Sequence, residues 1–324
     1  MEIWKIIVIV IAVAIVLLLS LAYAAYRTAF RKRYDKNPLL KFFTAADFSL
    51  TESLVKIGRL RGKIYLKGGA ADREEVVVFV HGMGPGHCAY TTEIAYFCNL
   101  GYTVLAVDSL GCGLSGGRNI RGMYEGVKTA VAAIDFARAN FPEKKIYLVG
   151  HSWGGYSALC ASARRKVEKV VAISAPTSPV KTIYEGASKI ISKPVAAILC
   201  PWWWLINFLL FGVNGNKSAV KCARKNGAET LLVHGDKDNI VTHTKAVFYR
   251  NYGENVKKYL AEGKAHNPYN TVEAEKKLAE LSVKLSGANK MTDKEREEYF
   301  SNFDFTTATA EDAEVMQAIA EFLE

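Results

Sequence analysis

Ile146-Tyr147-Leu148-Val149-Gly150-His151-Ser152-Trp153-Gly154-Gly155 joins an apolar run to a Gly-x-Ser-x-Gly turn, and the small-residue stretch Tyr156-Ser157-Ala158-Leu159 follows. The run reads as a buried strand and the stretch after it as a helix, so Ser152 falls in a sharp strand-to-helix turn. In such a turn the hydroxyl is exposed, and Gly150 and Gly154 keep Cβ atoms out of the crowded approach between strand and helix. The helix that starts after Ser152 aims backbone N–H groups at a developing oxyanion. A bare Gly-x-Ser-x-Gly is common in proteins. Its position between strand and helix makes Ser152 a candidate nucleophile.

A nucleophilic serine needs an acid and a base, expected later in the chain in the order Ser, Asp, His. After an apolar run at residues 230–234 comes Gly235-Asp236-Lys237-Asp238-Asn239-Ile240-Val241. Asp236 falls in the tight turn beside the glycine, where a turn-capping use is expected. Asp238 reaches back toward the base and is the expected acid. His266, in Glu262-Gly263-Lys264-Ala265-His266-Asn267, follows the run at 258–260 and is the expected base, whereas His243 is read as structural or surface. His81-Gly82-Met83-Gly84-Pro85-Gly86 follows the apolar run at 76–80 and offers the Met83 N–H beside the Trp153 N–H as a pair of oxyanion donors. No Gly-Lys-Ser/Thr follows these glycines, which excludes a phosphate-binding P-loop. His81 and His151 are read as hydrogen-bonded structural residues, and Asp108, in Asp108-Ser109-Leu110-Gly111-Cys112-Gly113-Leu114-Ser115, as the residue that holds its loop.

Outward from these motifs, short apolar runs alternate with helical stretches. Strands are predicted at 63–66, 76–80, 102–107, 145–149, 170–174, 230–234 and 258–260, and helices at 90–100, 123–139, 153–163, 244–252 and 271–285. Most of the runs are rich in Val, Ile and Leu without polar alternation, as strands buried on both faces should be. This alternation predicts an α/β protein with a mostly parallel sheet covered on both sides. The alternation breaks at about 177–228, where a helical pattern replaces the strands; this stretch is read as an inserted cap. It carries Trp202, Trp203 and Trp204, which are expected to bind an apolar substrate.

Residues 6–26 carry no charge and are mostly Ile, Val, Leu and Ala. As a helix they reach about 31 Å, enough for a hydrocarbon core of about 30 Å. Ala22-Tyr23-Ala24 has the small-x-small form of a cleavage site, but the run exceeds an ordinary signal h-region, so an uncleaved anchor is expected. Arg27, Arg31, Lys32, Arg33 and Lys36 flank its end against Lys5 alone before it, which places the bulk of the chain in the cytoplasm. A chain beginning near Arg31 is expected to fold on its own. Residues 27–60 are read as a juxtamembrane linker, 61–290 as the main domain and 291–324 as an acidic segment ending in a helix.

The 324 residues carry a net charge of +10. No basic-aromatic RNA motif accompanies that charge, so a face turned toward anionic lipid is expected instead of a nucleic-acid partner. The six cysteines are spread singly without a Cys-x-x-Cys pair, which argues against a disulfide scaffold or a zinc site; no metal or cofactor is expected.

The set His81-Gly82-Met83-Gly84, Asp108 to Ser115, Gly150 to Gly155, His234-Gly235-Asp236-Lys237-Asp238 and the late His266 resembles the α/β-hydrolase superfamily over about residues 60–285. Within it, the chain looks like membrane-anchored bacterial serine hydrolases of the monoacylglycerol lipase and serine aminopeptidase types. The resemblance implies an eight-stranded, mostly parallel sheet, a Ser152–Asp238–His266 triad and an oxyanion hole from Met83 and Trp153. It leaves the substrate open. The leading expectation is a membrane-anchored carboxylesterase or lipase-like enzyme that cleaves esters or thioesters with an acyl chain. A serine aminopeptidase and a non-catalytic membrane scaffold are the alternatives. The cap carries Lys181, Lys189, Lys193, Lys217, Lys221, Arg224 and Lys225 against Glu185, which counts against holding a substrate's free amine.

Overall fold

Side chains such as Val76, Val78, Leu148 and Val170 are fully or almost fully excluded from water, and so are Val77, Val149 and Val171 on the opposite face. Strands that bury both faces in this way must lie inside a layered fold. A computed structural model, describing residues 2–69 and 73–324, shows the sheet. Its strands are β1 (Leu50–Ile57), β2 (Leu60–Lys67), β3 (Glu75–Val80), β4 (Thr103–Asp108), β5 (Lys145–His151), β6 (Lys169–Ile173), β7 (Glu229–Gly235) and β8 (Val256–Ala261). They are ordered β1-β2-β4-β3-β5-β6-β7-β8. From β4 through β8 every pairing is parallel, whereas β2 is antiparallel to both β4 and β1.

The helices are α1 (Ile3–Phe30), α2 (Thr91–Asn99), α3 (Tyr124–Asn140), α4 (Trp153–Ser162), α5 (Pro179–Ala187), α6 (Lys193–Phe211), α7 (Ala219–Ala223), α8 (Val272–Gly287), α9 (Asp293–Asn302), α10 (Phe305–Ala308) and α11 (Ala313–Leu323). One face of the sheet packs on α3 and α4, the other on α2 and α11. Val315, Met316, Ile319 and Leu323 of α11 are buried against Val77, Val149 and Val171, so α11 completes the sheet's covering layer. The acidic stretch before it forms α9 and α10. Its Phe300 closes a small separate core with Leu281 and Ala288, against which Leu39 and Leu40 pack.

Three expectations are corrected here. The segment 27–60 is no linker, because β1 lies within it. Only Leu50 and Val55 of that edge strand are buried, so it carries no apolar run to betray it. Gly58, at φ 57°, turns the chain tightly between Ile57 and Leu60 and sets the β1–β2 register. Residues 244–252 do not form a helix. Their backbone is drawn to the loop after β6: the Val247 N–H donates to Ala175 O and the Thr177 N–H to Lys245 O, and Ala246, Val247 and Phe248 are buried.

The third correction concerns α1. Residues 3–17 are exposed on every side, but Leu18, Ala22, Ala25, Tyr26, Ala29 and Phe30 recur at three- and four-residue spacing and form a stripe packed into the domain. Trp203, fully buried on α6, donates its indole N–H to Ala22 O at 3.0 Å. The Tyr26 hydroxyl sits 2.9 Å from both Arg121 O and the Asn207 side-chain amide. Both are acceptors, Arg121 O and Asn207 Oδ1, and the single Tyr26 hydroxyl proton is shared between them. Beyond the helix, the Arg33 guanidinium donates to the carbonyls of Gly113, Ser115 and Gly117. Tyr34 and residues 111 and 113 exchange backbone hydrogen bonds. A chain starting near Arg31 therefore loses part of its core. Trp203→Ala opens a cavity at this joint and is expected to cost about 3–5 kcal/mol, read as a lowered unfolding temperature of the full chain in mild detergent. An unchanged unfolding temperature would show that α1 is not docked on α6.

Candidate active site

Strand β5 leads into Ser152, which sits at φ 56° and ψ −118°, a conformation that an L-residue adopts only when its surroundings hold it there. The Ser152 N–H donates to Ile173 O at 2.7 Å, tying the turn to β6. Glycine is required at 154 because a Cβ there would lie 1.9 Å from Val80 O. The strand, the strained residue and the close approach together lift the Ser152 hydroxyl to the edge of the sheet.

The loops after β7 and β8 bring the other expected residues to it. His266 Nε2 is 2.9 Å from Ser152 Oγ, and His266 Nδ1 is 2.9 Å from Asp238 Oδ2. The second oxygen, Oδ1, accepts the N–H groups of Ile240 and Val241, each at 2.8 Å. These bonds fix the tautomer: Nδ1–H donates to the carboxylate and leaves Nε2 to accept from the serine. Burial pushes the Asp238 carboxyl up, but the hydrogen bond and charge of His266 and the two N–H groups outweigh it, and the carboxyl lies below its ordinary value. Asp236 stays at the surface with Lys237 at 3.4 Å. His243 meets Tyr249 in a tilted ring contact, centroids 4.0 Å apart, and makes no hydrogen bond to these groups among the described residues.

Met83 follows β3 in a partly exposed loop, and Trp153 is the first residue of α4. Among the described residues neither backbone N–H has a hydrogen-bond partner. His81 and Asp108 behave as expected. His81 Nε2 accepts the Ser109 N–H, and Asp108 accepts the His87 N–H, His87 Nδ1–H and Leu114 N–H, which holds the loop after β4.

Two buried residues behind the site, Tyr90 and His234, escaped the sequence reading, whereas His151 is the hydrogen-bonded residue expected there. The Tyr90 oxygen accepts the Gly82 N–H at 3.0 Å and its O–H donates to His151 Nδ1 at 3.0 Å; His151 Nε2–H then donates to His266 O at 2.9 Å. This chain ties the loop bearing Met83 to the loop bearing His266. Burial, then the charge of His266, holds the His151 imidazole down to about 3, so it stays neutral and keeps one ring nitrogen free to accept. His234 lies behind the acid with Nε2 3.8 Å from Asp238 Oδ2. These contacts join residues 61 and 115 positions apart, and no local motif signals them.

The tryptophans require a correction. Successive residues on a helix point about 100° apart, so three in a row cannot share one face. Trp203 is wholly buried against α1, Trp202 is half-buried, and Trp204 is half exposed and stacks on Phe208 with ring centroids 5.5 Å apart. Trp203 is a packing residue and lines no binding site.

Residues 71–210 match the family model described as serine aminopeptidase, S33. The chain is 34% identical over 91 residues to Protein ABHD8 of Bos taurus and to that of Homo sapiens; the match covers 27% of this chain and only about a fifth of each relative's length. Its structure resembles that of an esterase from Pyrococcus furiosus with a TM-score of 0.57 at 20% identity, covering 79% of this chain and 98% of the esterase.

Proposed function

The chain belongs to the α/β-hydrolase superfamily, and from that premise we propose that it is a membrane-anchored serine hydrolase that cleaves carboxylic esters or thioesters bearing an acyl chain. The observation that carries the reading is the unbroken Ser152–His266–Asp238 hydrogen-bond chain. Ser152 Oγ attacks the acyl carbonyl as His266 Nε2 takes its proton; Asp238 steadies the imidazolium. The N–H groups of Met83 and Trp153 meet the oxyanion that forms. His266 returns the proton to the leaving group, and water, activated in the same way, releases the acyl group from Ser152.

In this reading α1 is the anchor, its exposed residues 3–17 in lipid, with the catalytic domain on the cytoplasmic side that the basic residues after the span favour. An acyl chain suits the apolar cap, since α6 has no charged residue after Lys193. The family description favours a second reading, a peptidase acting on free amino termini. Against it, the cap helices α5 to α7 carry Lys181, Lys193 and Lys221 and only Glu185 to hold an ammonium group.

One panel tests both. The full chain in mild detergent is offered p-nitrophenyl esters from acetate to decanoate and aminoacyl p-nitroanilides. The expected result is ester turnover that rises with chain length, by up to about fourfold in kcat/KM per added methylene, because each buried CH₂ is worth about 0.8 kcal/mol. Faster turnover of the aminoacyl amides would replace the esterase with the peptidase. A chain that turns over neither and resists a fluorophosphonate probe would be a scaffold.

A further inference from the structure

Helix α6 carries an apolar face that the protein leaves uncovered. From Pro194 to Phe211 it has no charged residue, and its one amide, Asn207, points inward to Tyr26. On the outside, Val195, Ile198, Trp204, Phe208 and Leu209 are between 39% and 70% exposed. They lie on the broad side of the helix that faces away from the buried Ala196, Leu199, Trp203 and Ile206. A surface helix bathed in water shows the opposite pattern, with polar residues outward.

What covers this face follows from α1. Residues 3–17 of α1, exposed on every side, reach only about 22 Å, short of a hydrocarbon core of about 30 Å. The hydrocarbon must therefore extend along α1 into its stripe, to about Ala22 and beyond. At that level α1 is already packed on α6: Ala22 meets Trp203 and Tyr26 meets Asn207. Both partners advance by four residues in the same direction, so α6 runs alongside α1 there and does not cross it abruptly. The outer face of α6 thus continues the lipid-facing surface of α1.

We propose that the outer face of α6 is a second membrane contact, seated in the boundary layer of the bilayer beside α1, so that the cap is held in lipid and does not float above it. The proposal rests on reading α1 as a membrane anchor, and the test separates the two.

Single cysteines are placed in the full chain at Ile198 and Leu209 on α6, at Val13 on the exposed part of α1, and at Val283, which is 71% exposed on α8. Each variant is reconstituted at one chain per nanodisc of phosphatidylcholine and phosphatidylglycerol and treated with a charged maleimide, and the labelled peptide is identified by mass so that native cysteines do not interfere. The expected result is labelling of Ile198→Cys and Leu209→Cys at least about tenfold slower than Val283→Cys and close to that of Val13→Cys, because a charged reagent is excluded from the apolar layer. Labelling of the α6 sites as fast as Val283→Cys, with Val13→Cys protected, overturns the proposal and leaves the anchor standing. Fast labelling at Val13→Cys as well overturns both. Protection of the α6 sites that appears only when two chains share a disc assigns the face to a second copy and overturns the lipid contact.

Discussion

Ser152→Ala is expected to abolish labelling by a fluorophosphonate and to lower ester turnover by about 10⁶-fold, while the unfolding free energy changes by no more than about 0.5 kcal/mol. Both halves follow from the site. The hydroxyl is the attacking atom, and its part in holding the fold amounts to one hydrogen bond, to His266. The strain at φ 56° belongs to the backbone, held by the Ser152 N–H bond to Ile173 O, and alanine inherits it unchanged. Activity within tenfold of the parent chain would remove Ser152 as nucleophile.

Asp238→Asn is expected to lower turnover by about 10⁴-fold, because an amide N–H facing His266 Nδ1 favours the tautomer that cannot accept the serine proton. Asp236→Asn, paired only with a surface lysine, should stay within a few-fold of the parent. The reverse ranking would assign the acid to Asp236. Asp238 also shapes the acid limb of stability. Since the Asp238 carboxyl lies below its ordinary value in the folded chain, its stabilisation is complete above the unfolded value, about 3.9, and fades as the pH falls through the lower folded one. Asn at 238 should flatten that limb in thermal unfolding measured from pH 5 down to 2.5.

How much of this was legible depends on how local each signal is. The turn around Ser152 could be read because strand, glycines and helix adjoin in sequence, and the loop 235–241 because a glycine ends the strand and two aspartates follow it, the second of which reaches across. The parallel strands announced themselves by burial on both faces. The edge strand β1 did not, since an edge asks for only Leu50 and Val55 to be buried. The 244–252 segment has helical composition, but the Ala175 and Thr177 backbone competes for its hydrogen bonds. The Tyr90–His151 tie and the Trp203–Ala22 joint link residues 61 and 181 positions apart, and only the folded chain shows them. Trp202, Trp203 and Trp204 were legible as apolar, but which of them faces inward is decided by where α1 docks.

The joint between Ala22 and Trp203 also sets an order of events during synthesis. α1 leaves the ribosome first, and its partner on α6 follows 181 residues later. At roughly 5–20 residues per second, the stripe of α1 waits on the order of ten seconds or more for its own protein to cover it. Under the proposed anchoring, what meets the stripe throughout that interval is lipid. Docking of the cap is thus a late step of maturation, and a peptidase that cut after Ala24 would carry away the carbonyl that receives the Trp203 indole. Cleavage would not release a working domain; it would strand one that had never closed.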